Sequence, residues 1–143
     1  MKIKITFFLI LITLITSLPL AGFTQCNAFG KKCSGKLSPY FNSGQMFNST
    51  LLSQDHAKLS MTFYKGQNYR VLVCSEEDLG EVKFNLIDAS NNIIFTNKGY
   101  GNFWDFNVEA TQELIVEVIT PPAYAKDNLD KSGCVTILVG FKQ

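Results

Sequence analysis

Two stretches of two-residue alternation, one ending and one beginning at a cysteine, limit this chain to a fold built on β-strands. Leu59, Met61 and Phe63 alternate with Lys58, Ser60, Thr62 and Tyr64, a pattern that gives a strand one apolar and one polar face. The turn-forming run Lys65-Gly66-Gln67-Asn68 follows, and Tyr69-Arg70-Val71-Leu72-Val73-Cys74 resumes the alternation, so residues 59–74 read as a β-hairpin with a Gly-containing loop. The second stretch runs from Cys134 to Phe141. Laid antiparallel with Cys74 opposite Cys134, it sets Val73 against Val135, Val71 against Ile137 and Tyr69 against Val139. One register thus aligns both cysteines and the apolar ladder.

The other elements follow the same period. Val82, Phe84 and Leu86 alternate with polar neighbours, residues 88–92 turn the chain, and Ile93-Ile94-Phe95 returns it. Trp104, Phe106 and Val108 share one face of a strand after the Gly-containing loop 97–102. Leu114, Val116 and Val118 share another, and Pro121-Pro122 ends that strand because proline cannot join a ladder. Residues 123–132 are a turn-rich insertion with room for a short helix. Counting gives about seven or eight strands, an all-β antiparallel two-sheet sandwich of jelly-roll type.

The N-terminus has its own signature. Lys2 and Lys4 precede an apolar run from Ile5 to Leu20, then the small residues Ala21, Gly22 and Thr24. This reads as a secretory signal peptide over residues 1–24, with cleavage after Thr24 or Gly22, and the run is shorter than the roughly 20 residues of a membrane span. Residues 25–56 are expected to form an N-terminal segment stapled by a disulfide and packed on the sandwich, with a strand near 45–52, and residues 57–143 to form the sandwich itself. The chain therefore touches a membrane only through the leader and is exported, to the periplasm or outside the cell.

Cys26, Cys33, Cys74 and Cys134 all lie beyond the leader, bound for an oxidising compartment where they should pair. Four cysteines allow three pairings. The register selects Cys74–Cys134 and leaves Cys26–Cys33. With a single histidine and no C-x-x-C pair, neither a zinc site nor any other cofactor is expected. The chain carries 13 basic and 12 acidic residues without a basic stripe, which opposes a nucleic-acid partner.

Several residues have the chemistry of a site. Glu76, Glu77 and Asp78 cluster hard oxygen ligands in one loop, a weak calcium motif without the spacing of a calcium loop. Tyr100, Phe103 and Trp104 are candidates for an aromatic platform that stacks on sugar rings, although Trp104 shares its face with apolar Phe106 and Val108. Asn48-Ser49-Thr50 matches the N-glycosylation sequon. His56 is the only imidazole available to activate a nucleophile, and Asp105 and Glu117 are the carboxylates available for glycosidase chemistry. Their positions favour outward-facing structural roles, so no catalytic residue is assigned. The leading functional reading is a non-catalytic module that binds a protein partner at the cell envelope. A carbohydrate-binding module and a small envelope hydrolase are the alternatives.

In the order of its elements the chain resembles the bacterial pre-peptidase C-terminal domain and related jelly-roll modules. The resemblance rests on Gly66, Tyr69, Val71 and Val73, then Phe84, Leu86 and Asp88 before Ile93-Ile94-Phe95, then Leu114, Val116 and Val118, and covers residues 57–141. The Gln25-Cys26 start and the closing residues 133–137 are also similar to small exported proteins of Bacteroidetes-type bacteria. The family's closing strand usually opens with Gly-x-Tyr, where this chain has Cys134-Val135, and the family is normally appended to a protease. The resemblance implies a β-sandwich and a non-catalytic role, and it carries over no active residue.

Overall fold

The computed structural model describes residues 24–98, 101–122 and 131–142. The expected leader lies outside them except for Thr24, as do Tyr100 and most of the insertion after Pro122. Helix α1 spans Thr24–Ser34. Strands β1 (Phe41–Leu52), β2 (His56–Phe63), β3 (Asn68–Ser75), β4 (Lys83–Ile87), β5 (Ile93–Thr96), β6 (Phe103–Asn107), β7 (Gln112–Ile119) and β8 (Ser132–Lys142) follow. They form two antiparallel four-stranded sheets, the first in the order β1-β8-β3-β6 and the second β2-β7-β4-β5. The chain is an all-β sandwich.

The two-residue periods decide which side chains meet between the sheets. Tyr69, Val71, Val73, Val135, Ile137 and Val139 come from the first sheet, and Phe63, Phe84, Leu86, Leu114, Val116 and Val118 from the second. All are buried. Burying side chains of this size contributes on the order of 2 kcal/mol each relative to exposure.

Residues 59–74 do not form the expected hairpin. β2 pairs with β7 in the second sheet, while β3 pairs with β6 and β8 in the first, so the connection arches across the core. Alternation fixes which face of a strand is buried without naming its neighbour. Here Phe63 and Tyr69 meet edge to face, ring centroids 5.0 Å apart. The Tyr69 hydroxyl accepts a hydrogen bond from the Tyr64 N–H at 3.0 Å and donates to Gln67 Oε1 at 2.8 Å, fastening the arch, and Gly66 supplies the positive φ its turn needs.

The expected register of β3 and β8 is offset by two residues. Cys74 lies opposite Thr136, Val73 opposite Ile137 and Val71 opposite Val139. A two-residue slip keeps every side chain on its own face, so the apolar ladder tolerates it, but Cys74 and Cys134 no longer face each other. The bonds that form are Cys26–Cys134 and Cys33–Cys74, with Cα atoms 5.3 and 6.3 Å apart, in place of the expected Cys74–Cys134 and Cys26–Cys33.

Helix α1 explains the exchange. Cys26, Phe29 and Cys33 recur on one helical face, and the two cysteines stand about 10 Å apart along the axis. That face lies on the outer side of the first sheet, where Cys33, Leu72, Cys74 and Leu138 form a second apolar cluster capped by Leu37. Lys31 and Lys32 in the last turn complement the helix dipole. The segment expected only to be stapled by Cys26–Cys33 and packed on the sandwich therefore begins as a helix, Thr24–Ser34. Likewise β1 is longer than the expected 45–52 and is a full partner of β8, so the sandwich begins before residue 57.

Non-reducing peptide mapping should recover fragments joining Cys26 to Cys134 and Cys33 to Cys74. In the loop-entropy model, replacing Cys26 and Cys134 by Ser removes about 5 kcal/mol of stability, measurable by urea unfolding. Phe84→Ala, at a fully buried ring, should cost about 3–5 kcal/mol in the same experiment.

Candidate functional site

The sandwich is open along one long side, where the sheet edges β5 and β6 face each other. Aromatic side chains fill the gap. Phe95 stacks on Trp104 with centroids 4.5 Å apart and planes 9° apart, and Trp104 stacks on Phe106 at 4.5 Å and 17°. The column continues through Phe63 at 5.3 Å from Phe106. Outside this column lies a shallow cleft of about 660 Å3 bounded by Ile93, Ile94, Phe103 and Trp104. Ile93, Ile94 and Phe103 are 58, 43 and 41% exposed, a concentration of large apolar side chains that folding leaves in water. A short strand with three successive apolar residues must turn at least one of them outward, and the sequence carried that signal at Ile93-Ile94-Phe95.

One wall of the cleft is held rigid by Arg70. Its Nε and Nη2 donate to the two oxygens of Asp105 at 2.7 Å each, and Nη1 donates to the Ser38 carbonyl at 3.0 Å. The guanidinium also lies between two rings, 4.6 Å from the centre of Tyr40 and 4.2 Å from that of Phe103. The hydrogen bonding of Arg70 to Asp105 raises the Arg70 pKa further. Burial, followed by the nearby Asp105 charge, raises that of the Tyr40 phenol. Arg70 thus fixes Phe103 and Asp105 on β6 and ties down the turn that leads into β1.

The sequence-derived site residues are dispersed. Phe103 and Trp104 project from opposite sides of β6, one toward Arg70 and the other toward Phe95, so they do not make one flat platform. Asp105 lies on the outer face of the first sheet in its pair with Arg70. Glu117 lies on the outer face of the second, 3.3 Å from Lys58 Nζ, with Asn85 Nδ2 donating to it at 2.9 Å. The two carboxylates are on opposite sides of the sandwich and cannot flank one bond. His56 is exposed at the start of β2, opposite Ile119, on the same outer face as Glu117.

In the acidic loop, Glu76 Oε2 accepts a hydrogen bond from the Cys134 N–H at 2.7 Å, while Glu77 and Asp78 are exposed on a 3-10 turn. No group of three His, Cys, Asp or Glu side chains is placed to hold a metal among the described residues. The sequon asparagine has a structural position. Asn48 Nδ2 donates to Asn27 at 3.1 Å, its Oδ1 accepts from Thr136 at 2.7 Å, and α1 crosses so close that a Cβ on Gly30 would stand 2.4 Å from that oxygen.

No family model and no curated protein matches this sequence. Among solved structures the fold is similar to that of PliG of Aeromonas hydrophila, a periplasmic lysozyme inhibitor of g-type lysozyme. The two are 14% identical with a TM-score of 0.50, over 73% of this chain and 89% of that one. At this identity the likeness is one of fold.

The hydrogen bond from Asn85 chiefly, and then Lys58, lowers the Glu117 pKa below the usual carboxylate range against the opposing effect of burial. A carboxyl whose folded pKa is depressed contributes stability that is present above its unfolded pKa, near 4.3, and is lost as pH falls through the folded value. Glu117→Gln should therefore flatten the acid limb of the stability profile below about pH 4.5, read by thermal unfolding against pH. Arg70→Ala should lower stability by about 1–2 kcal/mol in urea titration, because it strips Asp105 of two charge-assisted bonds and Phe103 of its stacking partner.

Proposed function

We propose that this chain is an exported, non-catalytic module that binds a protein partner through the cleft between β5 and β6. The observation that carries the reading is the exposure of Ile93, Ile94 and Phe103 around one cleft, on two strands at sheet edges. Such a surface offers apolar contact together with edge backbone for an extended segment of the partner, which is the chemistry of strand addition. The aromatic column and the Arg70 clamp behind it keep the cleft in shape without the partner, so little ordering is required on binding. Two disulfides support residence in an oxidising compartment, in agreement with the leader expected at residues 1–24. The dispersal of His56, Asp105 and Glu117 supports a passive role.

The fold likeness to PliG supplies the first partner class to examine, a cell-wall-degrading enzyme of the g-type lysozyme kind. A photo-crosslinking amino acid at Ile94, introduced in the envelope of the producing cell, should yield a protein adduct, whereas the same group at Lys58 on β2, the far edge of the same sheet, should not. Ile94→Asp should weaken binding of that partner at least tenfold, about 1.4 kcal/mol, while leaving the unfolding midpoint nearly unchanged. Equal crosslinking at both positions would remove the cleft as the contact surface.

A further inference from the structure

We propose that a second cleft, between α1 and the chain that follows β3, binds a short zwitterionic peptide. Its carboxylate would lie toward Lys32 and Lys36 and its ammonium toward Glu77 and Glu81. This site is separate from the β5–β6 surface and does not depend on it.

The cleft encloses about 620 Å3, within the range of small-ligand sites. Its lining is mixed: Phe29, Val73, Val82 and the Cys33–Cys74 bridge supply apolar surface beside the polar Ser75 and Asn97. The charges are sorted by element. α1 and the turn after it contribute only the cations Lys32 and Lys36, and the segment between β3 and β4 contributes the carboxylates. None of Lys32, Lys36, Glu77 and Glu81 forms an ion pair with a described residue, and the two pairs that do form, Lys58–Glu117 and Arg70–Asp105, lie on other surfaces. Glu76, by contrast, is committed to the Cys134 N–H. Asn102 completes the lining. Its carbonyl is taken by the Val73 N–H at 2.8 Å, and its side-chain amide makes no hydrogen bond to a described residue.

Opposite charges carried by different elements of one cleft set up a field across it. An ion of one sign is attracted to one wall and repelled by the other, whereas a ligand carrying both charges, aligned with the field, is favoured at both ends. The cations and the carboxylates belong to different elements, so a ligand that reaches both carries its two charges on a neutral body between them. A peptide of two or three small residues with free termini has that form. The Cys33–Cys74 bond fastens the cationic wall to β3, which makes the site a property of the oxidised protein.

The test is an amide chemical-shift titration of the oxidised protein with trialanine and with its N-acetylated, C-amidated form. Saturable shifts at Phe29, Val82 and Asn102 with the free-termini peptide are expected, at least tenfold weaker with the capped one. Charge reversal at the helix wall, Lys32→Glu with Lys36→Glu, should weaken binding at least tenfold, and Glu77→Gln with Glu81→Gln should do so from the other side. These exposed positions can change without unfolding the protein, and Ile94→Asp should have no effect. Absence of shifts at saturating trialanine, equal binding of the capped peptide, or shifts confined to residues 93–96 would overturn the proposal.

Discussion

The register between β3 and β8 decides where everything on the outer face of the first sheet must fall. β8 is paired on both sides, to β1 and to β3, so its position fixes three of the four strands at once. With Cys74 set opposite Thr136, the sulfurs of Cys74 and Cys134 lie diagonally apart on the outer face. A helix laid across that face meets one cysteine with each of its own. The helix in turn covers Leu72 and Leu138, which would otherwise put aliphatic surface in water at the centre of a sheet. Pairing, crosslinking and covering are therefore one arrangement, and a change of register would undo all three.

Much of this is legible in the amino-acid sequence. Residues that alternate with period two fell on the faces their spacing implied, because burial on one side of a pleated strand leaves little freedom. Leu59, Met61 and Phe63 point inward, as do Trp104, Phe106 and Val108, and Leu114, Val116 and Val118. What the alternation could not resolve was anything invariant to a slip of two residues or to a change of neighbour. The β3–β8 register is invariant in the first sense, and the sheet to which β2 belongs is invariant in the second. The helix was hidden for another reason. Its apolar face is only Cys26, Phe29 and Cys33, and the cysteines that complete it gain their meaning from partners far along the chain.

The two clefts differ in the same way. Phe103 stands out as a candidate for an aromatic platform, whereas Ile93 and Ile94 read only as a returning strand, although three successive apolar residues there already imply an outward-facing one. Lys32, Lys36, Glu77 and Glu81 were not apparent together, since only the helix brings the first two to the segment after β3. Sites that draw on one pair of neighbouring strands are near the surface of the sequence. Sites that need a crosslink between a helix and a distant strand are not.

The seat of Asn48 beneath α1 bears on how this protein can be made. A secretory pathway that attaches oligosaccharide to Asn-Ser-Thr would modify the nitrogen that donates to Asn27, on a side chain whose oxygen lies too close to the helix backbone for a Cβ on Gly30. Such a modification, added before the chain has closed, would hold the helix off the sheet and separate Cys26 and Cys33 from their partners. Sugar at that nitrogen would thus compete with the seating of α1 on the first sheet, a conflict that expression in a bacterial periplasm avoids.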